Sequence, residues 1–180
     1  MIKLLWRYLR GTEGTTAIEF SLIAIPFFTL IMSIFEMAIM FAAASLLEGA
    51  TGNAARLIRT GQIQQATTDP GAQERMFRDA ICNSAAVLVN CEDVDIEVQQ
   101  LDGFGGYTSS AAQFDGDGNL SSQGFNAAGV NDVVLVRTGY RYQLMTPLIG
   151  SLLGAGESNS QYFISTIVLQ VEPYEFREGA

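Results

Sequence analysis

Apolar residues crowd into one long run near the N-terminus and fall into shorter periods after it. Between residues 20 and 47 the only charge is Glu36. At about 1.5 Å per residue that run extends about 42 Å as a helix, more than the roughly 30 Å hydrocarbon core of a bilayer. The helical pattern continues through Leu46, Ala50, Ala54, Leu57 and Ile58 and stops near Gly61. Asp69-Pro70 then predicts an N-cap with proline at the first helical position. Met76, Phe77, Ala80, Ile81, Ala85 and Leu88 follow at helical spacing, with Glu74, Arg75, Arg78 and Asp79 on the other face. Val94, Ile96 and Val98 alternate with Asp95, Glu97 and Gln99, which predicts a half-buried strand. A second strand is expected through Val134, Val136, Thr138, Tyr140 and Tyr142, and a third over 161–171, with Pro147 and Pro173 as punctuation. The expected class is α+β: a long N-terminal transmembrane helix leading into a small domain in which one further helix packs on an antiparallel sheet of about three strands. The expected division is 1–14, a basic leader; 15–60, the long helix; and 61–180, the domain.

Composition narrows the function. The 180 residues hold 10 Lys+Arg against 19 Asp+Glu, a net charge of −9. Such a balance argues against nucleic acid, which selects basic surfaces. There is no His, and Lys3 is the only lysine. Histidine-based triads, histidine-ligated metals and lysine-dependent chemistry are thereby removed, and no cofactor motif is present. Only serine or carboxylate chemistry would remain, and no motif supports either. The chain is read as a non-enzyme.

Three basic residues, Lys3, Arg7 and Arg10, precede the apolar run. The positive-inside rule therefore places 1–14 in the cytoplasm and the chain after about Leu47 outside. Cys82 and Cys91 then fall on the oxidising side, where a disulfide is the simpler reading; free buried thiols would suit a cytosolic domain. The segment 102–130 carries seven glycines and no Lys or Arg. A loop of that length is either a partner-binding element or a surface excursion. Within it, Asp115-Gly-Asp117-Gly-Asn119 offers oxygens at alternate positions, as a calcium loop does. Leu120 and Asn126 occupy two positions that a calcium loop reserves for Gly and Glu, and Asp-Gly pairs also make ordinary turns.

The segment Gly14-Thr15-Thr16-Ala17-Ile18-Glu19-Phe20 opens the apolar run. A basic leader, a Gly, four small or apolar residues, a Glu, a Phe and a long apolar helix resemble a type IV prepilin. Together with Pro26, Glu36 and Asn53-Ala54-Ala55-Arg56, and later Tyr140-Arg141-Tyr142, Thr146-Pro147-Leu148 and Glu172-Pro173-Tyr174, the sequence is similar to the TadE-like family of tight-adherence (Flp) pilus systems. Met37-Ala38 stands where relatives commonly carry Leu-Gly. The resemblance implies cleavage between Gly14 and Thr15 by a prepilin peptidase. It also implies an assembly role for Glu19 and Phe20, with Glu19 meeting the freed amine of a neighbouring subunit. A minor pilin or pseudopilin is implied, working in surface attachment. Its partners would be other pilin subunits, the peptidase, the inner-membrane assembly platform and membrane lipid. It would cross the inner membrane once, with its C-terminal domain outside. Pro26 should loosen the turn at Leu22, and Ala38, Ala42, Ala43, Ala44 and Ser45 form a band of small residues.

Two other classes remain open on the residues alone. Ala42-Ala43-Ala44 before Ser45 fits a signal-peptidase site and would give an ordinary secreted protein, although the apolar stretch is long for a signal sequence. A membrane-anchored extracytoplasmic binding or sensor domain is the third.

Overall fold

The structure is a computed structural model in which residues 15–146, 150 and 159–174 are described, Thr15 through its backbone only. The leader with Gly14, and Pro147, lie outside the described residues. Helix α1 spans Thr15–Arg59 and runs through Pro26 without interruption. Helices α2, Gln62–Ala66, and α3, Pro70–Ala85, follow. Strands β1, Val94–Leu101, β2, Val133–Gln143, and β3, Ser160–Gln170, form an antiparallel sheet in the order β1-β2-β3. The α+β expectation holds. The chain divides into two compact units, one ending at Ala38 and the other beginning at Ile39.

In the first unit the large apolar side chains are bare. Phe20, Leu22 and Ile25 are 70, 72 and 70% exposed. Hydroxyls along this stretch turn inward: Ser21 donates to the Ala17 carbonyl at 2.7 Å and Thr29 to that of Ile25 at 2.8 Å. Such bonds to the preceding turn satisfy a hydroxyl where water is scarce.

In the second unit, Met40, Ala43, Leu47, Ala50, Ala54 and Ile58 are buried at spacings of three and four, one face of α1. This face lies on the sheet, and the buried Thr51 hydroxyl meets that of Thr138 on β2 at 2.6 Å. Gly61 ends the helix in the left-handed region, φ +73°, with the Tyr174 ring so close that a Cβ would collide with it. Glycine is required there on both counts. Helix α2, unforeseen in the sequence, follows this turn. Its Gln64 donates to the carbonyls of Ile58 at 3.1 Å and Ala127 at 2.9 Å.

Helix α3 begins as expected: Asp69 accepts from the Ala72 amide at 2.9 Å, and Pro70 follows. It stops at Ala85 rather than Leu88, and its buried face is Phe77, Ile81 and Ala85, with Met76 left 37% exposed. Cys82 and Cys91 are bonded, their Cα atoms 5.6 Å apart. Arg78 reinforces this turn by donating to the carbonyls of Cys91 at 3.2 Å and Val94 at 2.8 Å.

One expectation fails in β1. Alternation places Glu97 on a wet face, yet Glu97 is 1% exposed. Its partner is Arg137 on β2, 4% exposed and 3.0 Å away. The second face of the sheet is not bare, because the segment after β1 returns over it.

Candidate assembly helix and the loop over the sheet

The long loop is built onto the sheet. It opens with a short 3-10 helix at Phe104–Ser109. Arg137 then donates to the Ser110 carbonyl as well as to Glu97. Glu97 in turn accepts from Gln99 at 2.9 Å and from the Gln123 amide at 3.3 Å. Charge-assisted bonds on all sides of a buried pair offset the cost of taking it out of water. Farther along, Val98 donates to the Gly124 carbonyl at 3.0 Å and accepts from the Asn126 amide at 2.8 Å. Phe125 stacks edge-on against Phe77, 5.6 Å between centroids. The loop thereby closes the free edge of β1, and β3 keeps the other edge.

A second clamp holds the tip. Tyr162 on β3 crosses over Gly139 to donate to Asp95 at 2.7 Å and to accept from the Leu120 amide at 2.9 Å. Any side chain at position 139 would strike the Tyr162 hydroxyl, so the glycine admits the crossing. Burial first, and the Asp95 carboxylate second, push the Tyr162 hydroxyl above its ordinary value. Arg141 donates to the Asp117 carbonyl at 2.6 Å, to Asn119 at 2.8 Å and to Ser160 at 3.0 Å, with its guanidinium over the Tyr162 ring.

That clamp decides the calcium question. Asp115 accepts from the amides of Asp117 at 2.9 Å and Asn119 at 2.8 Å, which holds its carboxyl below the ordinary value. The Asn119 amide is the largest cause. The remaining inward oxygens of the turn face Arg141, so a fixed guanidinium stands where a cation would have to enter. Among the described residues no three metal-ligating side chains converge. The groove between α1 and β3 is lined by Ala44, Leu47, Gly52 and Phe163, with Glu48 and Tyr162 as its titratable groups. Ser165 and Thr166 add hydroxyls to this lining.

The residues singled out in the sequence fall in different units of the chain. Glu19 and Phe20 are exposed on α1, four and five residues after the first described helical residue. Gly14 lies outside the described residues. Cys82 and Cys91 fasten α3 to the start of β1. Sequence reasoning missed the Glu97–Arg137 pair and the Arg141 clamp. Half of a signal existed for the first: Arg137 follows the apolar run 133–136 in β2, whereas Glu97 falls in the polar series of β1.

Alpha-helix α1 satisfies the length and composition of one membrane crossing. Residues 14–56 match the family model described as TadE-like protein, from the Gly before the apolar run to the Arg of Asn53-Ala54-Ala55-Arg56. The match covers about a quarter of the chain, and most of the domain lies beyond it. No curated protein and no solved structure matches the chain.

Proposed function

We propose that this chain, with its TadE-like segment at 14–56, is a minor pilin or pseudopilin of a tight-adherence pilus. Its leader of 1–14 is cut between Gly14 and Thr15, and its domain is held outside the inner membrane. The observation that carries the reading is a coincidence of three features on one stretch of α1. The family match begins at Gly14, the bare apolar surface begins just after it, and an exposed carboxylate, Glu19, sits within that surface. An apolar patch of this extent is unstable in water and calls for lipid or neighbouring helices to cover it. A structural subunit that moves between membrane and fibre uses both.

Cleavage gives Glu19 a physical role. It frees an ammonium on Thr15, and in an apolar layer an ammonium and a carboxylate are far cheaper together than apart. A neighbour's amine on Glu19 sets the axial register between subunits. The basic leader fixes the N-terminus in the cytoplasm, where the peptidase and assembly platform act on it.

The signal-peptide reading fares worse. A cut before Ser45 would remove Met40 and Ala43, 6 and 0% exposed, from the core of the domain.

Glu19→Gln tests the mechanism. The substitution removes the counter-charge of a buried pair, about 3–5 kcal/mol, while the domain is untouched. The variant should insert, lose its leader and fail to support surface fibres. Normal piliation with normal processing would remove Glu19 from assembly.

A further inference from the structure

The Arg141 clamp leaves one feature of the Asp115 turn unexplained. Asn119-Leu120-Ser121 is an N-x-Ser acceptor triplet, in a chain with seven asparagines. Chance alone supplies about one such triplet among seven asparagines, so the sequence carries little by itself. Its placement carries more. The turn is closed by the Phe114–Leu120 bridge, with Leu120 buried, Asn119 half-buried and Ser121 exposed. Ser121 is exposed, and its hydroxyl has no hydrogen-bond partner among the described residues. Asp117, two residues before the asparagine, is also exposed, with its carboxylate uncommitted.

The Asn119 side chain is also presented in a usable orientation. Arg141 holds its carbonyl oxygen at 2.8 Å, which fixes which end of the amide is the nitrogen. That nitrogen makes one long bond, 3.3 Å, to Asp115. A bond of that length is weak, and a substituted amide still has one hydrogen with which to make it. The clamp and the modification are therefore compatible.

We infer that Asn119 is an acceptor site for an N-linked glycan, transferred whole from a polyisoprenyl-diphosphate-linked oligosaccharide on the extracytoplasmic face. In that step Asn119 Nδ2 forms a bond to the anomeric carbon of the first sugar. The carbon–oxygen bond to the diphosphate breaks, the electron pair leaves on the polyisoprenyl diphosphate, and Nδ2 gives up one proton. No oxidant or reductant is involved. The inference rests on the proposed topology, because the lipid-linked donor is used outside the cytoplasm. A glycan on this turn would shield the loop side of the sheet and leave α1 free for packing.

The test is to express the full chain in a bacterium that carries an oligosaccharyltransferase and its lipid-linked glycan. The protein is then extracted from membranes and mapped by non-reducing peptide mass spectrometry. A glycan mass on the peptide containing Asn119 is expected, retained in Ser121→Thr and lost to background in Ser121→Ala and Asn119→Gln. The Cys82–Cys91 peptides report export in the same digest. Bonded cysteines with a bare Asn119 would overturn the glycan site alone. Free thiols with a bare Asn119 would overturn both it and the topology. A glycan that persists in Ser121→Ala would place the modification elsewhere.

Discussion

Two stretches of the same helix obey opposite rules. Up to Ala38, α1 exposes most of its large apolar residues, with Leu22 at 72% and Phe35 at 62%, while Glu36 is buried. From Met40 to Ile58 one face is buried against its own domain, and from Glu48 the other face turns polar. The backbone is α-helical throughout. Periodicity is what changes. The first stretch shows apolar residues to its surroundings; the second has a core side. A single helix thus carries both the bare apolar stretch and the buried face of the domain.

The comparison can be broken from either end. The largest effect is expected inside the domain, at the buried ion pair. Arg137→Ala leaves Glu97 charged and dry, which costs about 3–5 kcal/mol. Thermal unfolding of the detergent-solubilised chain should show a large drop in Tm, while the protein still fractionates with membranes. Unchanged Tm would mean that water reaches Glu97.

The next effect sharpens the contrast within α1 itself. Leu47→Ala removes a side chain that is 1% exposed and should cost about 2–5 kcal/mol of domain stability. Leu30→Ala removes one that is 58% exposed and should leave unfolding of the domain unchanged. Equal losses from the two variants would dissolve the distinction drawn here.

The smallest effect is a pH response confined to the Asp115 turn. Its carboxyl is held below the ordinary value of 3.8, first by the Asn119 amide. A depressed folded value means that the turn is supported above the ordinary value and loosens only as pH falls through the folded one. The Asp117 and Asn119 amide resonances should shift together with a midpoint below 3.8. A midpoint at or above that value would mean that the carboxylate accepts nothing.

Much of this contrast could be read from the chain before folding. The bare stretch is written in the near absence of charge from 20 to 47, and the caps of α3 in Asp69-Pro70. Strand positions followed from alternation, because the face toward α1 takes apolar residues at every second place. The other face could not be read so. Glu97 belongs to a polar series and is nevertheless buried, because what covers it is a loop that arrives from far along the chain. Arg141 sits among strand residues and gives no local sign that it will fill a distant turn. Helix α3 loses its last turn because Cys82 and Arg78 draw the chain toward Cys91. Long-range pairings of this kind leave no period in the sequence. Of the candidate site, the segment from Gly14 to Phe20 opens the family match, a signal that is local in the sequence.

The proposed function makes the bare stretch of α1 the body of a processed subunit. The most direct test is N-terminal sequencing of the full-length gene product, extracted from the membranes of cells that carry the pilus system. The account predicts a mature chain that begins at Thr15, with Glu19 as its fifth residue. A chain that begins at Ser45, or one that keeps Met1, would contradict it.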